Sequence, residues 1–160
     1  MTLAGKRLAS YCDTSALAKL YHIELGSAVV ERIVTEQSGA CFASRLVLLE
    51  MQSVLALKLR VGSISPADAL VTRRRFRSDV RRRRFRVASL RARHYTIADK
   101  LIDVYGPAQA LRTLDALHLA LALDLQRNGF VDSIMTADQV LCTVAPLEGL
   151  PVINPEIATR

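Results

Sequence analysis

Short apolar segments that favour strands alternate with longer segments that favour helices along the chain. The predicted strands cover residues 8–12, 40–43, 86–90, 132–136 and 151–153. The predicted helices begin at residue 13, cover 27–36, run from 44 to 60, begin again at 65, and cover 92–105, 113–127 and 138–144. Such alternation is typical of a parallel sheet with helical crossovers. It predicts an α/β fold, a three-layer sandwich around a central, mostly parallel five-stranded sheet.

Length and composition set the broad class. The chain has 160 residues and no internal repeat or linker, which predicts one domain over residues 1–160. The absence of an apolar run of about 18 residues argues against a transmembrane helix. The N-terminal segment lacks an apolar core with a cleavage site, so we expect no signal peptide and a cytoplasmic protein.

The three cysteines are Cys12, Cys41 and Cys142. They form no C-x-x-C pair, and two of them lie in strand-like segments. Buried thiols in a reducing compartment are therefore expected, and a zinc site is not.

Acidic residues fall where a parallel sheet would bring them together. Asp13 ends the first predicted strand, and Asp138 follows the fourth by two residues. Asp115 lies in the first turn of its predicted helix, and Glu50 about a turn and a half into another. Ligands in such folds bind beyond the carboxyl ends of the strands. If both helices start at that edge, the four carboxylates converge on one site.

Three of these acids have a simpler explanation. Asp13, Asp115 and Asp138 each stand at a helix start, where a carboxylate caps free amides and favours the helix dipole. Helix capping does not explain Glu50, because its neighbours on the helix form an apolar stripe at positions 46, 47, 54 and 57. A carboxylate there needs a metal or a lysine or arginine partner.

A cluster of four carboxylates repels itself and raises the pKa values of its members unless a cation is present. Oxygen ligands favour Mg²⁺ or Mn²⁺ over Zn²⁺. Such an ion activates water and stabilises the charge on a phosphodiester, so the cluster indicates a metal-dependent nuclease.

The segments around the acids resemble the motifs of the PIN-domain nucleases. The matching segments are 13–17, 44–50, 111–120 and 136–141, and residues 148–155 resemble the usual ending of the family. The match runs through nearly the whole chain in the family's order. The short length and the third motif are similar to the VapC-type toxins of bacterial toxin–antitoxin pairs.

The resemblance implies an endoribonuclease that needs Mg²⁺ or Mn²⁺, acts on an RNA substrate, forms a homodimer and is inhibited by a cognate antitoxin protein. It assigns the metal-binding and catalytic roles to four residues: Asp13, Glu50, Asp115 and Asp138. Asp13 and Asp115 are the expected direct ligands. Three residues are expected to contact those ligands or the phosphate: Ser15, Arg112 and Thr136. His118 is expected to be a packed residue outside the metal site.

Nine arginines fall between residues 73 and 86, and they account for most of a net charge of +7. The run is predicted to be helical, with Phe76 and Val80 on its buried face. Like charges at this density indicate an anionic partner. RNA phosphate is the first expectation, with contacts from Arg81, Arg82, Arg83 and Arg84. An acidic antitoxin surface and a merely solvated helix face are the alternatives.

Other function classes fit less well. Haloacid-type phosphatases require Asp-x-Asp after the first strand, where this chain has Asp13-Thr14-Ser15. Receiver domains require a phospho-accepting Asp after the third strand, which here ends in Ser89-Leu90. DNA flap nucleases of related fold are larger. A non-catalytic RNA-binding module that uses the arginine helix is the main alternative, and the intact set of acids argues against it.

Overall fold

The computed structural model describes residues 8–37 and 39–157. The strands are β1 (Ser10–Cys12), β2 (Cys41–Ser44), β3 (Arg86–Ala88), β4 (Ser133–Met135) and β5 (Val152–Ile153). The helices are α1 (Thr14–Leu17), which continues as a 3₁₀ turn (Ala18–Leu20), α2 (Ser27–Glu36), α3 (Val47–Arg60), α4 (Pro66–Arg81), α5 (Ala92–Gln109), α6 (Thr113–Arg127) and α7 (Gln139–Leu147). Residues 1–7, where no signal peptide is predicted, lie outside the described residues.

The strands form one sheet in the order β3-β2-β1-β4-β5, and every neighbouring pair is parallel. This confirms the predicted α/β fold. After β1, the chain adds β2 and then β3 on one side of that strand. It later adds β4 and β5 on the other side of β1. The order therefore reverses between β1 and β4, which is where ligands bind in open parallel sheets.

Alternate residues of each central strand enter two separate cores, which makes the fold a three-layer sandwich. Tyr11 and Ile134 pack on the face covered by α5, α6 and α7. Their neighbours Cys12 and Met135 pack on the face covered by α2, α3 and α4. Since successive strand residues point to opposite faces, near-continuous apolar strands are what a sheet covered on both sides requires.

Predicted helix boundaries are wrong at α3 and α5, and α7 also runs to Leu147 where the prediction ends it at residue 144. Ser44 ends β2 rather than capping the next helix, although its Oγ accepts a hydrogen bond from the Leu46 N–H at 3.1 Å. Helix α5 also runs through Gly106 and Pro107 to Gln109. A proline near the end of a helix removes only one backbone hydrogen bond, and the extension brings Leu111 into the core at 3% exposure.

The arginine run is helical only as far as Arg81. Arg83 has φ 54°, and the N–H groups of Arg83 and Arg84 donate to the carbonyls of Val80 and Asp79 at 3.1 and 3.0 Å. This is a Schellman cap in which arginine occupies the left-handed position that glycine usually takes. The helical prediction is therefore wrong for residues 82–86, whereas Phe76 is buried as predicted and Val80 packs against the same core while only partly buried.

None of the helices in the described part of the chain combines enough length with enough apolar character to span a bilayer. The cysteines are free thiols: Cys12 and Cys41 are buried, and Cys142 is partly exposed.

Candidate functional site

Asp13 lies where β1 ends, beside the end of β4. Its backbone N–H donates to the Met135 carbonyl at 3.2 Å, so the parallel pairing of the two strands sets its position. The side chain caps α1 by accepting a hydrogen bond from the Ala16 N–H at 3.0 Å. The predicted capping function is therefore present, but it uses only part of this carboxylate.

Two hydroxyl groups also donate hydrogen bonds to the Asp13 carboxylate. Ser15 Oγ donates to Oδ1 at 2.7 Å, and Thr136 Oγ1 donates to Oδ2 at 2.7 Å. Thr136 is fully buried and Asp13 is only 4% exposed. Burial raises the pKa of Asp13, and the hydroxyl donors oppose that effect without cancelling it. Ser15 and Thr136 thus lie in direct contact with Asp13.

Asp115 and Asp138 lie on neighbouring helix starts. Asp115 is in the first turn of α6, and Asp138 caps α7 by accepting from the Leu141 N–H at 2.9 Å. Burial raises the pKa of Asp115, and the nearby charges of Asp138 and Asp13 raise it further. Arg112 Nε, 3.9 Å from Asp115 Oδ2, offsets only part of this effect.

Glu50 is anchored by a histidine and a threonine rather than by a lysine or arginine. Thr14 Oγ1 donates to Glu50 Oε2 at 2.7 Å, and His118 Nε2 lies 2.6 Å from the same oxygen. Burial raises the pKa of Glu50, but the hydrogen bonds from His118 and Thr14 outweigh it and hold the pKa below its usual range. Glu50 is therefore connected to Thr14 of α1 and to His118 of α6, next to the other acids.

His118 contacts one of the four acids, a contact that the sequence prediction did not include. It is buried, as expected, but both ring nitrogens bond: Nδ1 lies 2.6 Å from the Tyr11 hydroxyl, and Nε2 contacts Glu50. Its position three residues after Asp115 was the available signal, because residues three apart share a helix face. The missing information was the pairing of α6 with α3 and β1.

A cleft of about 610 Å³ opens beside these residues. It is lined by Ser15, Glu50 and Asp138 of the predicted site, and by Lys19 and Lys58. Lys19 is bound to Glu24 at 3.1 Å and Glu156 at 2.7 Å, so its charge is neutralised locally. The cleft is lined by four carboxylates, of Glu24, Glu50, Asp138 and Glu156, against two lysines, so its lining is acidic although the chain as a whole is basic.

The donor atoms are chemically suited to a hard divalent cation, since they are carboxylate and hydroxyl oxygens. Within residues 8–37 and 39–157, however, no three or more histidine, cysteine, aspartate or glutamate side chains are arranged so that they could hold a metal ion. Asp13 and Glu50 are occupied by hydrogen-bond donors. Both oxygens of Asp13 accept hydrogen bonds, so metal binding there would exchange hydrogen bonds for coordination, whereas both donors to Glu50 bond to Oε2.

The four arginines predicted to bind RNA do not form one surface. Arg81, Arg82 and Arg83 are exposed, whereas Arg84 is partly buried and forms ion pairs with Glu31 and Asp79. Arg84 therefore stabilises the turn after α4. Only the first three are available to a partner.

A comparison with family models matches residues 10–147 to the PIN domain. The structure is also similar to a chain of a toxin–antitoxin complex from Klebsiella pneumoniae, with a TM-score of 0.60, 16% sequence identity, and coverage of 92% of this chain and 98% of that one. No curated protein sequence matches significantly.

The chain belongs to the PIN domain family, since the family match spans most of its length and includes all four predicted acids. PIN domains are generally nucleases that use divalent metals. The predicted family is thereby confirmed. The structural neighbour is a member of a toxin–antitoxin pair, and at this low identity its likeness supports the fold alone.

Proposed function

We propose that this PIN domain is a Mg²⁺- or Mn²⁺-dependent endoribonuclease, acting in the cytoplasm as the toxin of a toxin–antitoxin pair. The main support for this proposal is that Asp13, Asp115 and Asp138 lie together with Glu50 where the strand order of the sheet reverses. Burial keeps the pKa values of Asp13 and Asp115 raised, and repulsion from Asp138 and Asp13 raises that of Asp115 further. A pocket whose carboxylates are not fully compensated by nearby positive charge is suited to a cation.

Asp13 and Asp115 would hold the divalent ion, and Glu50 and Asp138 would complete the pocket. A bound ion would activate water and neutralise charge on the scissile phosphodiester. Ser15 and Thr136 fix the Asp13 carboxylate through their hydroxyls. Arg112, whose side chain is 83% exposed beside Asp115, is placed to contact a phosphate oxygen of the bound strand.

RNA as the substrate is supported by charge. The net charge of +7 favours association with a polyanion. Contacts from Arg81, Arg82 and Arg83 would position the backbone without reading its sequence.

An antitoxin partner is supported by an exposed apolar surface next to the arginine helix. Two grooves of about 470 and 420 Å³ share Leu48 and Leu49, and Leu49 is 72% exposed. Arginines line both grooves: Arg45, Arg77 and Arg81. Apolar anchors flanked by acidic residues would match this surface. A homodimer remains part of the proposal through the family resemblance.

The alternative is a non-catalytic RNA-binding module. It predicts RNA binding that is unaffected by changes to the acids and by removal of metal.

Induction of the protein in bacterial cells without an antitoxin tests the proposal. Growth arrest is expected, together with new RNA ends at a small set of sites when total RNA is sequenced. The Asp115→Asn protein, produced at the same level, should give neither effect. Growth arrest by Asp115→Asn equal to that of the unaltered protein would favour the binding module.

A further inference from the structure

His118 joins two parts of the site that are distant in sequence. Its ring is 2% exposed, and it lies between Tyr11 on β1 and Glu50 on α3, with both contacts at 2.6 Å. Since both nitrogens are engaged on opposite sides, the ring cannot turn without losing both hydrogen bonds. The side chain is therefore fixed as firmly as its neighbours in the core.

The direction of the second hydrogen bond follows from the acceptor. An ionised carboxylate has lone pairs only, so His118 Nε2 must carry the hydrogen and donate it to Glu50 Oε2. This assignment holds whether or not Nδ1 also carries a hydrogen, because the Tyr11 hydroxyl can either donate or accept. Glu50 is thus always the acceptor of this pair.

Both donors reach the same oxygen of Glu50. His118 Nε2 and Thr14 Oγ1 bond to Oε2, and no side chain in the described ranges forms a hydrogen bond with Oε1. Glu50 also lines the cleft. Because two donors fix Oε2 of Glu50, the position of Oε1 is fixed as well.

We propose that His118 is a positioning residue which, together with Thr14, fixes Glu50 so that Oε1 is presented to the cleft as a preformed oxygen ligand. The inference deepens the proposed function and rests on it for the metal. A free glutamate side chain must lose much of its rotamer freedom when it binds a cation. Groups that hold a ligand side chain in place typically change metal affinity about 10- to 100-fold when they are removed.

Two substitutions of His118 separate positioning from packing. His118→Gln can place its amide nitrogen near the position of Nε2 and retain the donor to Glu50. His118→Asn is too short for that and retains only a polar group near Tyr11. We expect His118→Asn to weaken Mn²⁺ binding, measured by electron paramagnetic resonance, about 10- to 100-fold, and His118→Gln to weaken it only a few-fold.

His94 provides a matched control. It is also a buried histidine, 1% exposed, and its Nε2 lies 2.9 Å from Asp124, outside the acidic site. His94→Asn should lower the Tm and leave Mn²⁺ affinity unchanged. A second control, Thr14→Val, removes the other donor to Oε2 and should act in the same direction as His118→Asn.

Crystal structures of the metal-free variants test the orientation without reference to metal or activity. In His118→Asn the Glu50 carboxylate should turn away from its position in the unaltered protein, and in His118→Gln it should stay. An unmoved Glu50 in His118→Asn, or equal Mn²⁺ affinities of the Asn and Gln variants, would overturn the inference. Unchanged Mn²⁺ affinity in Glu50→Gln would instead contradict the proposed role of Glu50, a separate result.

Discussion

Thr136 and Asp13 are joined by a hydrogen bond of 2.7 Å between Thr136 Oγ1 and Asp13 Oδ2, which ties the end of β4 to the end of β1. The same hydroxyl oxygen accepts a hydrogen bond from the Asp138 N–H at 3.0 Å. One buried threonine therefore sets the relative positions of two of the four acids, at the point where the strand order reverses.

Thr136→Val should be destabilising, because it removes the hydroxyl and keeps the shape. A buried carboxylate that loses a donor costs about 1–3 kcal/mol in the free energy of unfolding. Thr136→Ser retains the hydroxyl and should cost less. Urea denaturation of the three proteins at pH 7 measures the difference. Equal stability of the Val variant and the unaltered protein would show that the hydrogen bond contributes little.

Divalent metal should stabilise the folded protein in a pH-dependent manner. Burial and neighbouring acids raise the pKa of Asp115, so the folded protein binds its proton more tightly than the unfolded chain does. Without metal, stability therefore falls as the pH rises from the ordinary aspartate pKa through the raised one. Above the raised pKa of Asp115, a bound cation restores the stability that the ionised carboxylate loses. Below that pKa, protons compete with the cation for the carboxylate.

Thermal unfolding with and without Mg²⁺ checks this expectation. At a concentration 100 times the dissociation constant, binding adds about 2.7 kcal/mol, which for a chain of this size corresponds to a Tm increase of roughly 5–10 °C. The increase should be present at pH 7 and shrink as the pH falls towards the raised pKa of Asp115. Asp115→Asn should abolish it, and the exposed Asp99→Asn should not. A shift that Asp115→Asn retains would place the ion elsewhere.

Arg83→Gly should stabilise the protein, since Arg83 occupies the left-handed region at φ 54°. A non-glycine residue there costs about 1–2 kcal/mol, part of which glycine loses again through its greater freedom in the unfolded chain. We expect a net gain of about 0.5–1 kcal/mol. Arg82→Gly removes the same charge at φ −79° and should destabilise. Chemical denaturation distinguishes the two, and a loss of stability in Arg83→Gly would contradict the cap.

Arg81 and Arg82 should contribute to RNA binding, whereas reversing Arg84 would break its ion pairs with Glu31 and Asp79. Changing the first two to Glu should weaken binding and reduce the slope of log affinity against log salt by about 0.7 for each phosphate that is no longer neutralised. Arg127→Glu is the control, because it lies on α6 about 18 Å along the helix from Asp115 at 1.5 Å per residue. An unchanged slope would leave these arginines to a protein partner or to solvent.

Much of the fold follows from local pattern. Apolar strands separated by helices leave few alternatives to a parallel sheet, and Asp13 and Asp138 had to share its edge because both follow strands. The partnership of Glu50 with His118 could not be predicted in this way. It depends on how α3 and α6 pack across the end of β1, which no spacing within either helix determines. The cap at Arg83 was missed for a local reason, because no glycine marks it.

The central claim is that the acids form a metal-dependent nuclease site. The most direct test is the cleavage of a labelled RNA by the purified protein in Mg²⁺ and in EDTA. Asp13→Asn and Asp115→Asn are assayed in parallel, after circular dichroism has shown that both variants are folded. We expect cleavage by the unaltered protein in Mg²⁺ alone, and none by either variant. Undiminished cleavage in EDTA, or by the folded variants, would contradict it.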